Sequence, residues 1–260
     1  MGARVVTELV NRSRVPVAEI DRVVFGSVVQ DVNSPNIARE IVLASPLPDT
    51  TDAHSVTKAC ATSTQTFIDG ATAILTGEAD IVVTGGADSL SRPPVLFTDE
   101  FVEVMQTAQK AKDFASRARA LAALRPADLA PQPPAIADRS TGASMGDGAE
   151  KMAKMNGIAR EAQDAYTFDS HQKAVEAWEK GVYDTEVMPF PVGPKYTTTV
   201  VRDNVPRADT SIEKLASLKP VFDRRYGSIT AGNSSPLTDG ASALLLLSLL
   251  HISEPTRHYC

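Results

Sequence analysis

Short runs of apolar, often β-branched residues alternate with stretches of helical periodicity along the first part of the chain. The strand-like runs are residues 21–30, 54–59 and 79–84. The stretches with apolar residues at helical spacing are 3–13, 37–44 and 61–76. Runs of the first kind predict buried strands, and those of the second kind predict helices. Strands that alternate with helices are typical of a layered α/β sheet.

The pattern changes after Pro94. Residues 97–124 are predicted to be helical and carry several basic side chains, and a proline-rich stretch follows at 125–134. Two more helices are predicted at 147–156 and 160–180, and strand-like runs return at 227–231 and 241–248. The middle of the chain is therefore predicted to be an inserted, mostly helical subdomain rather than part of the sheet.

Composition narrows the class of protein. The 260 residues carry a net charge of −6, which argues against a broad nucleic-acid-binding face. Two cysteines, Cys60 and Cys260, are too few for a disulfide framework or a zinc cluster, so we expect no metal site and a reducing compartment, the cytoplasm. The longest apolar run, 244–250, is far shorter than the roughly 20 residues that span a bilayer.

Cys60 is the candidate nucleophile. It lies between a predicted strand and a predicted helix that begins with small residues. Unpaired N–H groups and the positive end of the helix dipole meet there, and this field favours the thiolate, the nucleophilic form. The alternative is that Cys60 is a buried, inert small hydrophobe, as free cysteines often are.

Six motifs carry a family resemblance. They are Asn36–Arg39, Lys58–Gln65, Gly85–Ser89, Thr141–Glu150, Leu218–Asp223 and Ile229–Ala241. On these residues, in this order, the sequence resembles the thiolase family, and most of all the β subunit (3-ketoacyl-CoA thiolase) of the multifunctional fatty-acid oxidation complex. The resemblance extends to about residue 247.

The resemblance implies a thiolase-type α/β fold of layered αβαβα architecture, represented by an incomplete N-terminal half with an inserted, mostly helical loop subdomain. The implied divisions are the N-terminal half at 1–93, the loop subdomain at 94–226 and a returning strand of that half at 227–247. Residues 248–260 do not continue the family's strand, and we expect this tail to be non-native. The implied activity is that of an acetyl-CoA C-acyltransferase of fatty-acid β-oxidation, with Cys60 carrying the acyl group as a thioester.

By the same resemblance, four residues line a coenzyme A site. Met145 and Ser235 would contact the pantetheine arm, Arg207 would lie near the adenine and phosphates, and Phe222 would pack on the adenine side. The residues alone leave other readings open: a core position for Met145 or Phe222, a surface arginine, and a turn serine before Pro236. Coenzyme A and acyl-CoA are implied as substrates, with no tightly bound cofactor.

The sequence also departs from the family pattern. None of its four histidines is followed by proline, Cys60 and Cys260 lie outside any Cys-x-Gly motif, and the family's opening strand is absent upstream of residue 3. We therefore expect a fragment that is inactive alone. Two alternatives stay open: a non-catalytic CoA-binding or complex-assembly module, and a relative of the 3-ketoacyl synthases.

The family branch implies partners for the full-length parent. These are acyl-CoA substrates, further copies of the same subunit in a homo-oligomer, and an α subunit with hydratase and dehydrogenase activity, with no nucleic acid. The basic residues between 110 and 125 are either a solvated helix face or a peripheral contact with a membrane surface or that α subunit.

Overall fold

The structure is a computed structural model that describes residues 1–132 and 137–253. It divides into two compact units, residues 1–134 with 238–260, and residues 135–237. We describe each unit by itself. The boundaries at residues 93 and 226 implied by the resemblance differ from this division and stay predictions, and most of the predicted non-native tail, including Cys260, lies outside the described residues.

The elements, in chain order, are as follows. The strands are β1 Arg22–Gly26, β2 Asp52–Val56, β3 Ile81–Asp88, β4 Phe190–Val192, β5 Thr198–Val200 and β6 Gly240–Leu247. The helices are α1 Gly2–Ser13, α2 Ile37–Leu43, α3 Thr62–Leu75, α4 Asp99–Lys110, α5 Phe114–Leu121, α6 Met145–Met155, α7 Arg160–Glu179, α8 Ile212–Ala216 and α9 Leu249–Ser253.

The first unit is built on a four-stranded sheet in the order β2-β1-β3-β6. Strand β1 is parallel to both β2 and β3, with Val23 opposite Ala53 on one side and Val83 on the other. Strand β6 is antiparallel to β3, with Leu245 opposite Val83. The mixed α/β sheet predicted from the alternating pattern is confirmed.

Both faces of this sheet are covered, as expected for strands that are apolar throughout. On one face, Phe25 and Val83 pack in a cluster with Val6 of α1 and Val42 of α2. On the opposite face, alternate residues such as Val82 pack in a second cluster, which includes Ala73 of α3. Burial of each such side chain contributes roughly 1.5–3 kcal/mol, so the paired apolar faces hold the layers together.

Helix α3 lies unusually close to the strands because glycine faces it from the sheet. A Cβ atom at Gly26 would lie 2.1 Å from the methyl carbon of Thr62, and one at Gly86 would lie 2.4 Å from the hydroxyl oxygen of Ser63. Real Cβ atoms do not approach that closely, so a side chain at either position would push the first turn of α3 away. The two glycines therefore fix where the segment after Cys60 begins.

The second unit contains α6, α7 and α8. It also contains an antiparallel ribbon of β4 and β5, and the sequence pattern did not predict this ribbon. The strand predicted at 227–231 is wrong: these residues form a loop. Their backbone is engaged by side chains instead, since Glu150 accepts the N–H groups of Ser228 and Ile229, and Asn233 accepts that of Thr230. The strand predicted at 241–248 is confirmed as β6.

The stretch predicted to be helical, 97–124, contains two helices, α4 and α5. The break comes at Asp113, whose carboxylate accepts the N–H of Ser116 at 2.8 Å and caps the start of α5. An aspartate at this position stabilises a new helix start by about 1 kcal/mol, which helical periodicity alone does not reveal.

Candidate active site

Cys60 is exposed at the turn between β2 and α3. The residue before it, Ala59, has φ of 45°, in the left-handed region that residues other than glycine rarely enter. A strained residue of this kind next to a nucleophile is a known feature of functional turns. The alternative that Cys60 is buried is wrong, because the structure presents it at the surface. Its reactivity stays a prediction.

The helix that follows Cys60 begins without a side-chain cap. Helices α2, α4, α5, α6 and α8 each start with a polar residue whose side chain accepts a first-turn N–H, whereas α3, like α1 and α7, does not. The N-cap of α3 is Ala61, which has no side-chain acceptor. The positive end of the helix dipole is therefore not offset by a cap beside the cysteine, and this arrangement favours an anion there.

Two side chains that sequence reasoning did not single out brace the approach to this turn. Asp88, at the end of β3, accepts the hydroxyl of Ser27 at 2.9 Å and the N–H of Val29 at 2.8 Å. Thr57 donates its hydroxyl to the carbonyl of Ser27 at 3.0 Å. Asp88 falls within a family-like motif, but only the fold brings it to residues 27–29.

In the second unit, the structure places Phe222 against the start of α6, the helix that begins at Met145. Met145 is the first residue of α6 and is 64% exposed, and Phe222 is 41% exposed. The Phe222 ring lies against the next residue of α6, since a Cβ at Gly146 would come within 1.8 Å of the ring. Neither Met145 nor Phe222 lies in a core. A cavity of about 300 Å³, lined by Phe222, Lys151 and Lys154, lies beside the Phe222 ring.

The other two predicted CoA residues, Arg207 and Ser235, are also exposed. The backbone N–H of Arg207 donates to Nδ1 of His171 at 3.2 Å, which ties its loop to α7. Ser235 donates to the carbonyl of Pro236 at the long distance of 3.5 Å, so its hydroxyl is only weakly engaged. The roles of all four residues toward coenzyme A stay predictions.

Glu150 is an important residue of the second unit that was missed as an individual side chain. It is 5% exposed, and its carboxylate accepts the N–H groups of Ser228 and Ile229 at 2.9 and 3.0 Å. A buried carboxylate that accepts several N–H groups holds a loop firmly. This loop continues to Ser235, so the bonds from Glu150 help to fix where the backbone of Ser235 lies.

An ion pair joins α6 to the segment that carries Phe222. Nζ of Lys154 lies 2.6 Å from Oδ2 of Asp223, and the other carboxylate oxygen, Oδ1, accepts the N–H groups of Arg225 and Tyr226. The bond from Lys154, followed by those backbone N–H groups, lowers the pKa of Asp223 to about 2. The ionised carboxylate is thus favoured in the folded chain.

This shift predicts how stability responds to acid. Because the folded pKa is depressed, the contribution of Asp223 is fully present above its ordinary pKa of 3.8 and is lost as the pH falls toward about 2. In Lys154→Met we therefore expect a lower thermal unfolding midpoint than in the unchanged chain above about pH 5. The gap should narrow as the solution is acidified.

Lys151→Met, on the same helix, serves as the control for loss of a lysine charge. A gap between Lys154→Met and the unchanged chain that stays constant on acidification would show that the ion pair does not set the Asp223 pKa.

Within residues 1–132 and 137–253, no helix has both the length and the apolar character needed to cross a membrane. Over the same ranges, no group of three or more His, Cys, Asp or Glu side chains is placed to hold a metal ion.

Residues 1–249 match the family described as thiolase, N-terminal domain, and the chain belongs to this family. The match covers the strained turn at Cys60 as well as Met145, Arg207, Phe222 and Ser235. The family resemblance on the six motifs is thereby confirmed.

Individual relatives and solved structures agree with this assignment. The chain is 46% identical over 248 residues to the 3-ketoacyl-CoA thiolases of Serratia proteamaculans (strain 568) and Yersinia pestis (strain Pestoides F). These matches cover 95% of the chain but 57% of each relative, so the chain spans little more than half of their length.

Among solved structures, the acetyl-CoA acetyltransferase of Bacillus anthracis matches with a TM-score of 0.81 and 30% identity. The Acat5 thiolase of Ascaris suum, solved in complex with coenzyme A, matches with a TM-score of 0.80 and 28% identity. Each match covers 97% of this chain and 60% of the other.

Proposed function

We propose that this chain is the nucleophile-bearing part of a 3-ketoacyl-CoA thiolase, an acetyl-CoA C-acyltransferase of fatty-acid β-oxidation. The observation that carries the proposal is the position of Cys60. It is exposed, follows a left-handed alanine and precedes the uncapped start of α3. The names of the 46% identical relatives support the same activity.

The proposed chemistry is a two-step acyl transfer. The Cys60 thiolate attacks the 3-keto carbonyl carbon of a 3-ketoacyl-CoA, a carbon–sulfur bond forms, and the bond between C2 and C3 breaks. The departing acetyl-CoA enolate takes up a proton. A second CoA thiolate then attacks the acyl thioester and releases Cys60. Cysteine suits this exchange because its thiolate is strongly nucleophilic and one thioester replaces another.

The chain's own contribution is to hold the nucleophile and stabilise charge. The N-terminal end of α3 favours negative charge near Cys60, both on the thiolate and on an oxyanion formed at the attacked carbonyl. Oxyanion stabilisation is usually a large part of acyl-transfer catalysis. The absence of a competing side-chain cap on α3 supports this role.

Coenzyme A and acyl-CoA are the proposed substrates, with no tightly bound cofactor. Met145 and Ser235 would contact the pantetheine arm, and Phe222 would pack on the adenine side. Arg207 would pair with phosphate, for which a guanidinium is well suited. The exposure of these side chains and the contact between Phe222 and Gly146 support this assignment.

We further propose that the parent protein works in the cytoplasm as a homo-oligomer with an α subunit of hydratase and dehydrogenase activity. The candidate outer contact, with that subunit or a membrane surface, is the pair of helices α4 and α5. Lys110, Lys112 and Arg119 are exposed there, and so are apolar side chains including Met105 and Phe114.

Of the alternatives, a non-catalytic CoA-binding or assembly module is favoured by one observation. The 260 residues contain neither a His-Pro nor a Cys-x-Gly pair to supply a base and an acid. The 3-ketoacyl synthase alternative is less well supported, because Met145 and the segment 233–240 resemble thiolases.

A burst experiment separates these functions. The 260-residue chain is mixed with acetoacetyl-CoA in the presence of free coenzyme A, the acyl acceptor of the second step, and both acetyl-CoA release and intact protein mass are followed over time. We expect release to stop near one equivalent, with a single acetyl group on the protein, because neither motif that would supply a base to activate the incoming coenzyme A thiol is in this sequence. Binding of coenzyme A without acetylation would favour the non-catalytic module, and sustained turnover near 10 per second, typical of enzymes, would contradict the expected inactivity.

A further inference from the structure

The hydroxyl group of Thr62 bridges the two residues that precede Cys60. Its oxygen accepts the backbone N–H of Lys58 at 2.8 Å and donates to the carbonyl of Ala59 at 2.7 Å. Thr62 is 4% exposed, so water does not compete freely for either bond. One hydroxyl therefore binds the N–H group of the residue before Ala59 and the carbonyl group of Ala59 itself.

The strain makes this bridge consequential. Ala59 adopts φ of 45°, a conformation that a residue with a Cβ holds only where its surroundings enforce it. The Thr62 hydroxyl binds Lys58 N, which precedes Ala59 in the turn, and the carbonyl oxygen of Ala59. Two backbone bonds also span the turn, from Ala61 N–H to the Lys58 carbonyl at 3.0 Å and from Thr62 N–H to the Ala59 carbonyl at 3.1 Å. Without the hydroxyl, these two bonds alone would hold Ala59 in its left-handed conformation.

Thr62 itself is fixed by the sheet. Its methyl carbon lies where a Cβ at Gly26 would come within 2.1 Å, so the side chain fills the space that this glycine leaves. Packing of the methyl group seats the side chain on the sheet, and the two hydrogen bonds of the hydroxyl direct it toward the cysteine turn.

We propose that Thr62 is a positioning residue for Cys60, which acts by holding the Lys58–Ala59 backbone so that the thiol stays presented at the start of α3. The inference rests on the proposed function for its catalytic meaning. The proposed role requires the hydroxyl group and not merely a buried side chain. Serine at position 62 should therefore preserve the reactivity of Cys60, and valine should not.

The test measures the reactivity of Cys60 directly. In a Cys260→Ser background, the rate of alkylation by iodoacetamide is followed by intact mass for Thr62→Val, Thr62→Ser and Thr66→Val. Thr66 is the matched control because it is a buried threonine one turn further along α3, bonded to the carbonyls of Ser63 and Gly85. Thermal unfolding is recorded for every variant.

We expect Thr62→Val to slow alkylation about three- to tenfold, as for loss of a bridging hydrogen bond. Thr62→Ser and Thr66→Val should stay within about twofold of the parent, even though Thr66→Val also loses stability. Equal rates in Thr62→Val and the parent would overturn the proposal, and so would a Thr62→Ser rate as low as that of Thr62→Val. If Thr62→Val does not fold, Thr62→Ala replaces it, and equal rates in Thr62→Ala and Thr62→Ser would overturn the proposal.

The same proteins distinguish this inference from the proposed function. Acetylation by acetoacetyl-CoA is measured alongside alkylation. A parent chain that is alkylated but never acetylated would contradict the acyl-transfer function while leaving the Thr62 comparison intact. A parent that is acetylated, with no difference between Thr62→Val and Thr66→Val, would contradict only the positioning role.

Discussion

Replacing Cys60 with serine is expected to abolish acetylation of the chain by acetoacetyl-CoA, lowering its initial rate by about a hundredfold or more. A serine hydroxyl is almost wholly protonated near neutral pH and needs an adjacent base to attack a carbonyl, whereas a thiol is intrinsically far more acidic and its thiolate is the stronger nucleophile. The measurement is the mass gain of the protein during the first minutes of reaction.

Cys260→Ser is the matched control for this prediction, since it removes the chain's other thiol. It should acetylate at the rate of the unchanged chain. Acetylation of Cys60→Ser at the parental rate would show that another nucleophile takes the acyl group, and the role of Cys60 would then fall.

Replacing Asp164 with alanine is expected to lower the free energy of unfolding of the second unit by about 3 kcal/mol. Asp164 is 2% exposed, and its carboxylate accepts from Nε of Arg160 at 2.7 Å and from the Asn233 amide at 3.2 Å. Its removal leaves a largely buried guanidinium without its counter-charge, and this accounts for the large cost. The change should also loosen the loop that Asn233 holds.

The same helix offers a matched control. Asp169 pairs with Lys173 at the same four-residue spacing on α7, but both side chains are exposed. Asp169→Ala should therefore cost less than about 1 kcal/mol. Urea unfolding of both variants provides the comparison, and equal losses would mean that burial does not distinguish the two ion pairs.

Apolar periodicity was sufficient to predict the sheet and the helices packed on it. Strands β1 and β3 are runs of β-branched residues buried on both faces, and α3 follows the small residues after Cys60. Ser144 and Asp147 form a capping box at the start of α6, a recognisable local signal that the predicted start at residue 147 did not use. These features are local in sequence, and local patterns predict them.

The errors came where side chains from distant residues take over backbone hydrogen bonds. The run Gly227–Ala231 has strand-like composition, but side chains of Glu150 and Asn233 accept its N–H groups in place of a neighbouring strand. Such contacts span up to 79 residues of sequence, so no window of the chain reveals them. The break between α4 and α5 is different, since the cap at Asp113 is local and could have been found.

The candidate site likewise contains one residue that the sequence could identify and one that it could not. Cys60 could be predicted because a cysteine between strand and helix, in a family-like motif, is a distinctive signal. The role of Thr62 could not, because it depends on the left-handed turn at Ala59 and on the space above Gly26. Both are consequences of how α3 is seated on the sheet, and the sequence around Thr62 does not reveal that seating.

The central claim is that Cys60 accepts an acyl group from an acyl-CoA thioester. The most direct test is a peptide map of the chain after brief reaction with acetoacetyl-CoA and acid quenching. We predict one acetyl group, located on the peptide that contains Cys60 and removed by neutral hydroxylamine, as a thioester should be. Acetyl groups on Cys260 or on lysine side chains, with the Cys60 peptide unmodified, would contradict the claim.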